Sequence, residues 1–339
     1  MSDILKTGKI PQSLLEQFLS SIDGTNPELL IPPKIGEDIA AIDVEDEEVV
    51  ILKSDPITFA TDSIAEYSVL VNANDIATSG GVPRWFLTTV LLPPETSSEY
   101  ALSLLEELQM VCRKNSILLC GGHTEITDAV NRPVVSGMLV GTAKKSRLID
   151  KRSMKEGDRI ILTKGVAVEG TSIIAREFES RLKTEGVDPA VIESAKRFID
   201  DIGVVRDAHT AIAAGEITAL HDVTEGGLAT ALAELAKAGG RSFKIEMDTI
   251  PLFEETEQVC RPLGIDPLGL IGSGSLLITV PEQDWEGVVA ALEENGIRAA
   301  VIGEILSEGE GITAYREGRK VAFPRFEVDE LTKLFQGNT

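Results

Sequence analysis

Basic charge is scarce in this chain of 339 residues: 32 lysines and arginines face 55 acidic residues, for a formal net charge of −23. Neither a phosphate backbone nor an anionic bilayer is drawn to such a surface, which excludes nucleic acid and membrane as partners. No apolar run approaches the roughly 20 residues that a membrane-spanning helix needs. The opening Met1-Ser2-Asp3-Ile4-Leu5-Lys6 lacks the apolar centre of a secretion signal, so the chain reads as cytoplasmic. Cysteine is rare too. Cys112, Cys120 and Cys260 are odd in number and show no zinc or CxxC spacing, and they read as reduced, mostly buried thiols. Missing as well are a P-loop, a GxGxxG dinucleotide turn, an HExxH zinc helix and a GxSxG nucleophile elbow. A nucleotide, if bound, needs a less common architecture. Aromatics reach only 4%, yet 43% of residues are apolar and 30 are glycine, which is globular composition and not disorder.

What the chain does have is aspartate at junctions. Asp38 lies in Gly36-Glu37-Asp38-Ile39, Asp55 in Lys53-Ser54-Asp55-Pro56, Asp75 in Asn72-Ala73-Asn74-Asp75, and Asp222 in His221-Asp222-Val223-Thr224-Glu225-Gly226-Gly227. Hard divalent cations take carboxylate oxygens, one or two per ion, so four such residues could serve more than one Mg2+ on a polyphosphate. Asn72 and Asp75 share a helix face. Each residue also has a bland reading: Asp75 capping the Gly80-Gly81 turn, Asp38 in a surface turn, Asp222 or Thr224 capping the next helix. Gly121-Gly122-His123-Thr124 follows a strand, where two glycines permit a sharp turn or an anion-binding nest. His123 is open between a metal or phosphate contact and plain structure. His209 is left structural.

Apolar periodicity and breakers give the element order. A helix is expected over 11–22. Strands follow over 39–44 and 49–54, joined by an acidic tip, with Pro56 ending the second. Next come a helix over 63–79, a strand over 85–92, a helix from Ser97 to Arg113, a short strand over 117–120 and a long one over 133–143. A charged, helix-poor stretch over 148–158 divides two domains, 1–150 and 151–339. Beyond it, strands over 159–163, 218–221, 275–280 and 299–305 alternate with helices over 169–178, 189–199, 205–214, 228–238 and 283–295. Alternation in both halves predicts two α/β (α+β) domains.

These segments, in this order, resemble the ATP-binding superfamily of AIR synthase, hydrogenase maturation factor HypE, selenophosphate synthetase and thiamine-monophosphate kinase. The similarity spans Gly36 to about Ile305. It is carried by Gly36-Glu37-Asp38, by Asn74 to Gly80, by His221 to Leu232 and by Gly264-Ile265-Asp266-Pro267-Leu268, and it is similar above all to the HypE branch. The resemblance implies a PurM-like two-domain fold and a homodimer whose N-terminal sheets pair into a barrel. It implies ATP and Mg2+ as cofactors, with Asp38, Asp55, Asp75 and Asp222 on the metal and Asp75, Asp222 and His123 in catalysis. Lys53, Asn72, Gly121, Gly122 and Thr124 are then expected at the nucleotide.

HypE proper carries a cysteine in a Pro-Arg-x-Cys tail, whereas this sequence finishes Phe335-Gln336-Gly337-Asn338-Thr339. The expected acceptor is therefore separate, a small molecule or a group borne by another protein. Many relatives carry Gly-Gly-Asp-Thr at 121–124; the histidine here is as in selenophosphate synthetases and removes one possible carboxylate. The expected activity is ATP-dependent activation of an amide, carboxylate or similar oxygen by phosphoryl transfer. The alternatives are a kinase of the thiamine-monophosphate type and a nucleotide-binding accessory protein without turnover. A short amphipathic helix over 327–335 is expected to pack through Leu331, Leu334 and Phe335, and truncation after Val328 to leave nucleotide binding intact.

Overall fold

The computed structural model describes residues 16, 27–32, 34–44, 47–58, 62–309 and 311–336. The helix expected over 11–22 lies outside the described residues apart from Glu16, as does part of the acidic tip at 45–46. The chain forms two compact units: a smaller one of 27–32 and 38–148, and a larger one that includes 34–37 and 149–336. Both mix helix and sheet. No described helix is long and apolar enough to cross a membrane.

In the smaller unit β1 (Leu29–Ile31), β2 (Ala40–Asp43) and β3 (Glu48–Ile57) precede α1 (Ile64–Thr78), β4 (Val82–Leu92), α2 (Ser98–Lys114), β5 (Leu118–Ile126) and β6 (Val134–Lys144). The sheet order is β1-β2-β3-β6-β4-β5, antiparallel except for the parallel β4–β5 pair. α1 packs on β3 and β6 on one side and against α2 on the other. It is therefore buried almost all round, and Tyr67, Val69, Ile76 and Ala77 lose all access to solvent. Each large apolar side chain so buried is worth about 1.5–3 kcal/mol. The helix stops where Gly80 N–H and Gly81 N–H donate to the Ala77 and Ile76 carbonyls, closing it through glycine as the sequence predicts. Ser97 Oγ caps α2 by accepting Tyr100 N–H at 3.1 Å.

Two expectations fail here. Pro56 does not end β3, which runs on to Ile57 paired with β6. β2 pairs only as far as Leu52, so beyond it β3 has no neighbouring strand on that side among the described residues and the missing N–H of proline costs no ladder bond there. Nor does the strand over 117–120 stop at a glycine turn. β5 continues through Gly121, Gly122, His123 and Thr124 to Ile126 alongside β4. Gly121 and Gly122, at φ +137° and +155°, absorb a register shift between Phe86 and Leu87. A Cβ on Gly122 would overlap the Thr88 carbonyl oxygen.

The larger unit contains β7 (Arg159–Thr163), α3 (Val168–Glu177), α4 (Glu179–Thr184), α5 (Pro189–Lys196), α6 (Val205–Ala214), β8 (Ala219–Asp222) and α7 (Gly227–Gly239). It continues with β9 (Arg241–Glu246), α8 (Glu254–Cys260), β10 (Leu276–Val280), α9 (Trp285–Glu294), β11 (Ala299–Glu308), β12 (Ile312–Arg316), β13 (Arg319–Val321) and α10 (Thr332–Gln336). The sheet order is β13-β12-β9-β11-β7-β10-β8. Its core sets Ile160, Leu162, Phe243, Ile245, Leu277 and Ile302 of the sheet against Leu228, Leu232 and Leu235 of α7. β8 is an edge strand, and Asp222 is its last residue.

Candidate nucleotide and metal site

In β3 the strand alternation that buries Val49, Ile51 and Ile57 also turns Lys53 and Asp55 to the face that meets α1. Asp75 projects from α1 toward the same place. Lys53 Nζ lies 3.3 Å from Asp55 Oδ2 and 3.2 Å from Asp75 Oδ2. One ammonium thus holds two carboxylates, one half-exposed and one buried. Charge neutralisation of this kind lets a carboxylate survive out of water.

Asn72, one turn before Asp75, is fully buried and works on the backbone of Asp55. Its Oδ1 accepts Asp55 N–H at 3.0 Å, and its Nδ2 donates to Asp55 O at 3.3 Å and Ser68 O at 2.8 Å. The amide expected at the nucleotide clamps the backbone behind the carboxylate. The clamp needs room. Gly137 of β6 stands opposite Asp55, and a Cβ there would come within 2.6 Å of Asn72 Nδ2 and of the Phe86 ring. A glycine inside an apolar strand is the signal for such close approach. Asp75 does not cap the Gly80-Gly81 turn, which is closed by backbone carbonyls.

Asp38 stands in the smaller unit, just ahead of β2, half-buried. His123 and Thr124 lie on the exposed edge strand β5 with Gly121 and Gly122. His123 Nε2 is 3.0 Å from Glu125 Oε2, a partner sequence reasoning did not single out. Lys53, Asn72, Asp55 and Asp75 are thus brought into direct contact, and the β5 residues form a separate exposed row.

The larger unit supplies Asp222, buried at the end of β8. The following turn uses left-handed backbone at Gly226 (φ +85°) and Gly227 (φ +64°) to enter α7. Neither Asp222 nor Thr224 caps that helix. The Gly226 N–H donates instead to Asp329 Oδ2 at 2.6 Å, across 103 residues of chain. Asp329 also accepts Leu331 N–H at 2.8 Å, while Glu330 Oε2 accepts Asp266 N–H at 3.0 Å. Leu331 and Leu334 are buried, and the Phe335 ring meets Phe178 edge-on at 5.2 Å between centroids. The C-terminal segment packs as expected, but it also completes the turn after Asp222. Truncation after Val328 therefore removes part of that turn.

Glu169, in the first turn of α3, went unnoticed in the sequence because nothing near it in the chain marks it. It is buried, and its Oε2 has no hydrogen-bond partner among the described residues. Burial pushes its carboxyl up to about 7 against hydrogen bonds from Ser273, and the charges of Asp329 and Asp222 add to the rise. Burial likewise raises Asp329 to about 6, opposed by the Gly226 and Leu331 N–H groups.

Two parts of the chain match one family: residues 36–143 the N-terminal domain, and 155–315 the C-terminal domain, of AIR synthase related protein. Two relatives are similar to the chain over most of its length. A Methanocaldococcus jannaschii protein named for hydrogenase expression/formation is 26% identical over 316 residues, covering 90% of each chain. The carbamoyl dehydratase HypE of Rhodobacter capsulatus is 27% identical over 263 residues, covering 76% of this chain and 74% of its own. Among solved structures, hydrogenase maturation protein HypE in complex with ATP superposes with a TM-score of 0.70 at 22% identity, over 93% of this chain and 96% of that one. The fold is thus the PurM-like one, and the chain belongs to the AIR synthase-related protein family.

Proposed function

We propose that this protein binds ATP with Mg2+ and uses it to activate an amide, carboxylate or similar oxygen of a separate substrate by phosphoryl transfer. The observation that carries the reading is the Lys53 ammonium bridging Asp55 and Asp75 at 3.3 and 3.2 Å. An all-oxygen, carboxylate donor set suits Mg2+, which keeps several waters and takes one or two protein carboxylates. Asp38, Asp55, Asp75 and Asp222 are the proposed ligands. Bound Mg2+ would neutralise charge developing on the phosphoryl oxygens.

The chain's own residues do the positioning. Asn72 fixes the Asp55 backbone, and Lys53 orients both carboxylates while offsetting one of their two charges. His123 and Thr124, with the backbone of Gly121 and Gly122, present N–H and hydroxyl donors along β5 for the polyphosphate or acceptor. Catalysis of phosphoryl transfer is mostly such placement and charge balance. The HypE relative named a carbamoyl dehydratase and the HypE structure with ATP support this class of chemistry.

A homodimer is part of the same proposal. The face of β4 and β6 turned away from α1 exposes Trp85, Leu87 and Met138, and Leu118 and Ile126 of β5 are more exposed still. An apolar sheet face and an open edge of this kind invite a partner, and an isologous second copy is the partner proposed.

Phosphorus NMR with Mg-ATP and candidate carboxamide or carboxylate acceptors tests the activity. The expected result is acceptor-dependent release of inorganic phosphate, with a dehydrated or otherwise activated acceptor by mass spectrometry. A stable phosphorylated product would replace this reading with a kinase. ATP left untouched by protein and every acceptor would leave a binding protein.

A further inference from the structure

Lys151 is a lysine almost entirely removed from water, at 4% exposure, in the short turn that leads toward β7. Burying an ammonium costs several kcal/mol unless strong partners repay it. Its Nζ donates to Gly36 O, and the same Nζ is 3.2 Å from His221 Nδ1. A lysine ammonium has donors only, so Nδ1 must accept and the ring proton must sit on Nε2. That nitrogen faces Glu234 Oε2 of α7 at 3.5 Å. Ammonium, imidazole and carboxylate thus form one line inside the larger unit.

Two points of this line, its middle and its lysine end, are tied to segments that carry proposed ligands. His221 immediately precedes Asp222, and a ring nitrogen and a carboxylate oxygen of the pair lie within 4.8 Å of one another. Gly36 comes two residues before Asp38 in the chain. At φ +81° it packs so closely on α7 that a Cβ would overlap the Glu234 carbonyl oxygen, and Lys34 Nζ donates to Ala238 O at 3.3 Å beside it. A second lysine and a glycine contact therefore fasten the segment that Lys151 holds from the other side.

We propose that Lys151 is a positioning residue of the nucleotide site, holding His221 in its Nε2–H tautomer and pinning the Gly36 backbone ahead of Asp38. The assignment rests on the Mg-ATP reading for its consequence, but its geometry is testable apart from it. Groups that orient metal ligands from behind commonly change metal affinity or activity 10–100-fold when lost.

The experiment compares wild type, Lys151→Met and Lys151→Arg by long-range proton–nitrogen NMR of the imidazoles and by Mg-ATP calorimetry. With only three histidines in the sequence, His221 can be assigned by substituting His123 and His209. Wild type should show the Nε2–H tautomer. Lys151→Met should lose it, in part or wholly, and weaken Mg-ATP by about tenfold. Lys151→Arg, which keeps N–H donors for both partners, should restore the tautomer and bring affinity back to within about threefold of wild type. A folded Lys151→Met with the tautomer and affinity unchanged overturns the proposal. So does an Nδ1–H tautomer in wild type, which needs no variant to fold. If wild type binds no Mg-ATP the nucleotide reading fails, and loss or retention of the tautomer in Lys151→Met then decides the Lys151 assignment alone.

Discussion

Asp55 owes its placement to an amide that never reaches solvent. Asn72 spends both its oxygen and its nitrogen on the Asp55 backbone, so Asn72→Ala strands buried polar groups and should cost about 2–3 kcal/mol in chemical denaturation. Loss of under about 0.5 kcal/mol would mean that the clamp is not a stabilising element. Glu169 makes the opposite kind of prediction. Its carboxyl is raised from 4.5 to about 7, chiefly by burial, so the folded state holds its proton more tightly than the unfolded chain. The associated stability is complete below about pH 4.5 and is lost as pH rises through about 7. That gap is worth roughly 3 kcal/mol. Glu169→Gln should therefore match wild type near pH 4.5 and exceed it by up to about 3 kcal/mol at about pH 8, without added Mg2+. Equal stability of the two at the higher pH would contradict a buried, proton-retaining carboxyl.

At the level of elements, most helices and strands with strong periodicity and clear breakers were legible. α1 ends at its glycines, α2 is capped by Ser97, and β7 spans the expected 159–163. What stayed hidden depends on neighbours distant in sequence. Whether Pro56 stops β3 depends on where β2 gives out, and whether Gly121-Gly122 turns or runs straight depends on β4 lying alongside. The strands β9, β12 and β13 are short and polar enough that nothing local announced them. In the site, the carboxylates were legible as residue types at junctions, and the Lys53 bridge follows from strand alternation. Glu169, Lys151 and the Asp329–Gly226 contact were not, because burial and long-range pairing leave no local pattern. α10 shows the consequence. Truncation after Val328 removes Asp329 from the Gly226 N–H and strips buried Leu331 and Leu334 from the core. A loss of several kcal/mol is expected, lowering the melting temperature by about 5 °C or more. A truncated protein melting with the full chain would show that the segment is dispensable to the turn.

On the scale of the whole molecule, a chain of 36.4 kDa with net charge −23 has ample repulsion to stay monomeric unless a specific surface is covered. Light scattering should nevertheless give about twice the chain mass, and Trp85→Asp, on the exposed sheet face, should shift it toward the monomer while leaving the melting of each unit little changed. A monomeric wild type at micromolar concentration would remove the dimer from the account. Asp55 and Asp75, bridged by Lys53, are the residues proposed above all to hold Mg2+ for a nucleotide. Isothermal titration calorimetry of ATP into wild type and Asp75→Asn, each with and without Mg2+, addresses that role directly. Binding in wild type should need Mg2+, and a variant that remains folded should lose at least about tenfold, 1.4 kcal/mol. Equal affinity in the two proteins, or ATP binding indifferent to Mg2+, would contradict that role.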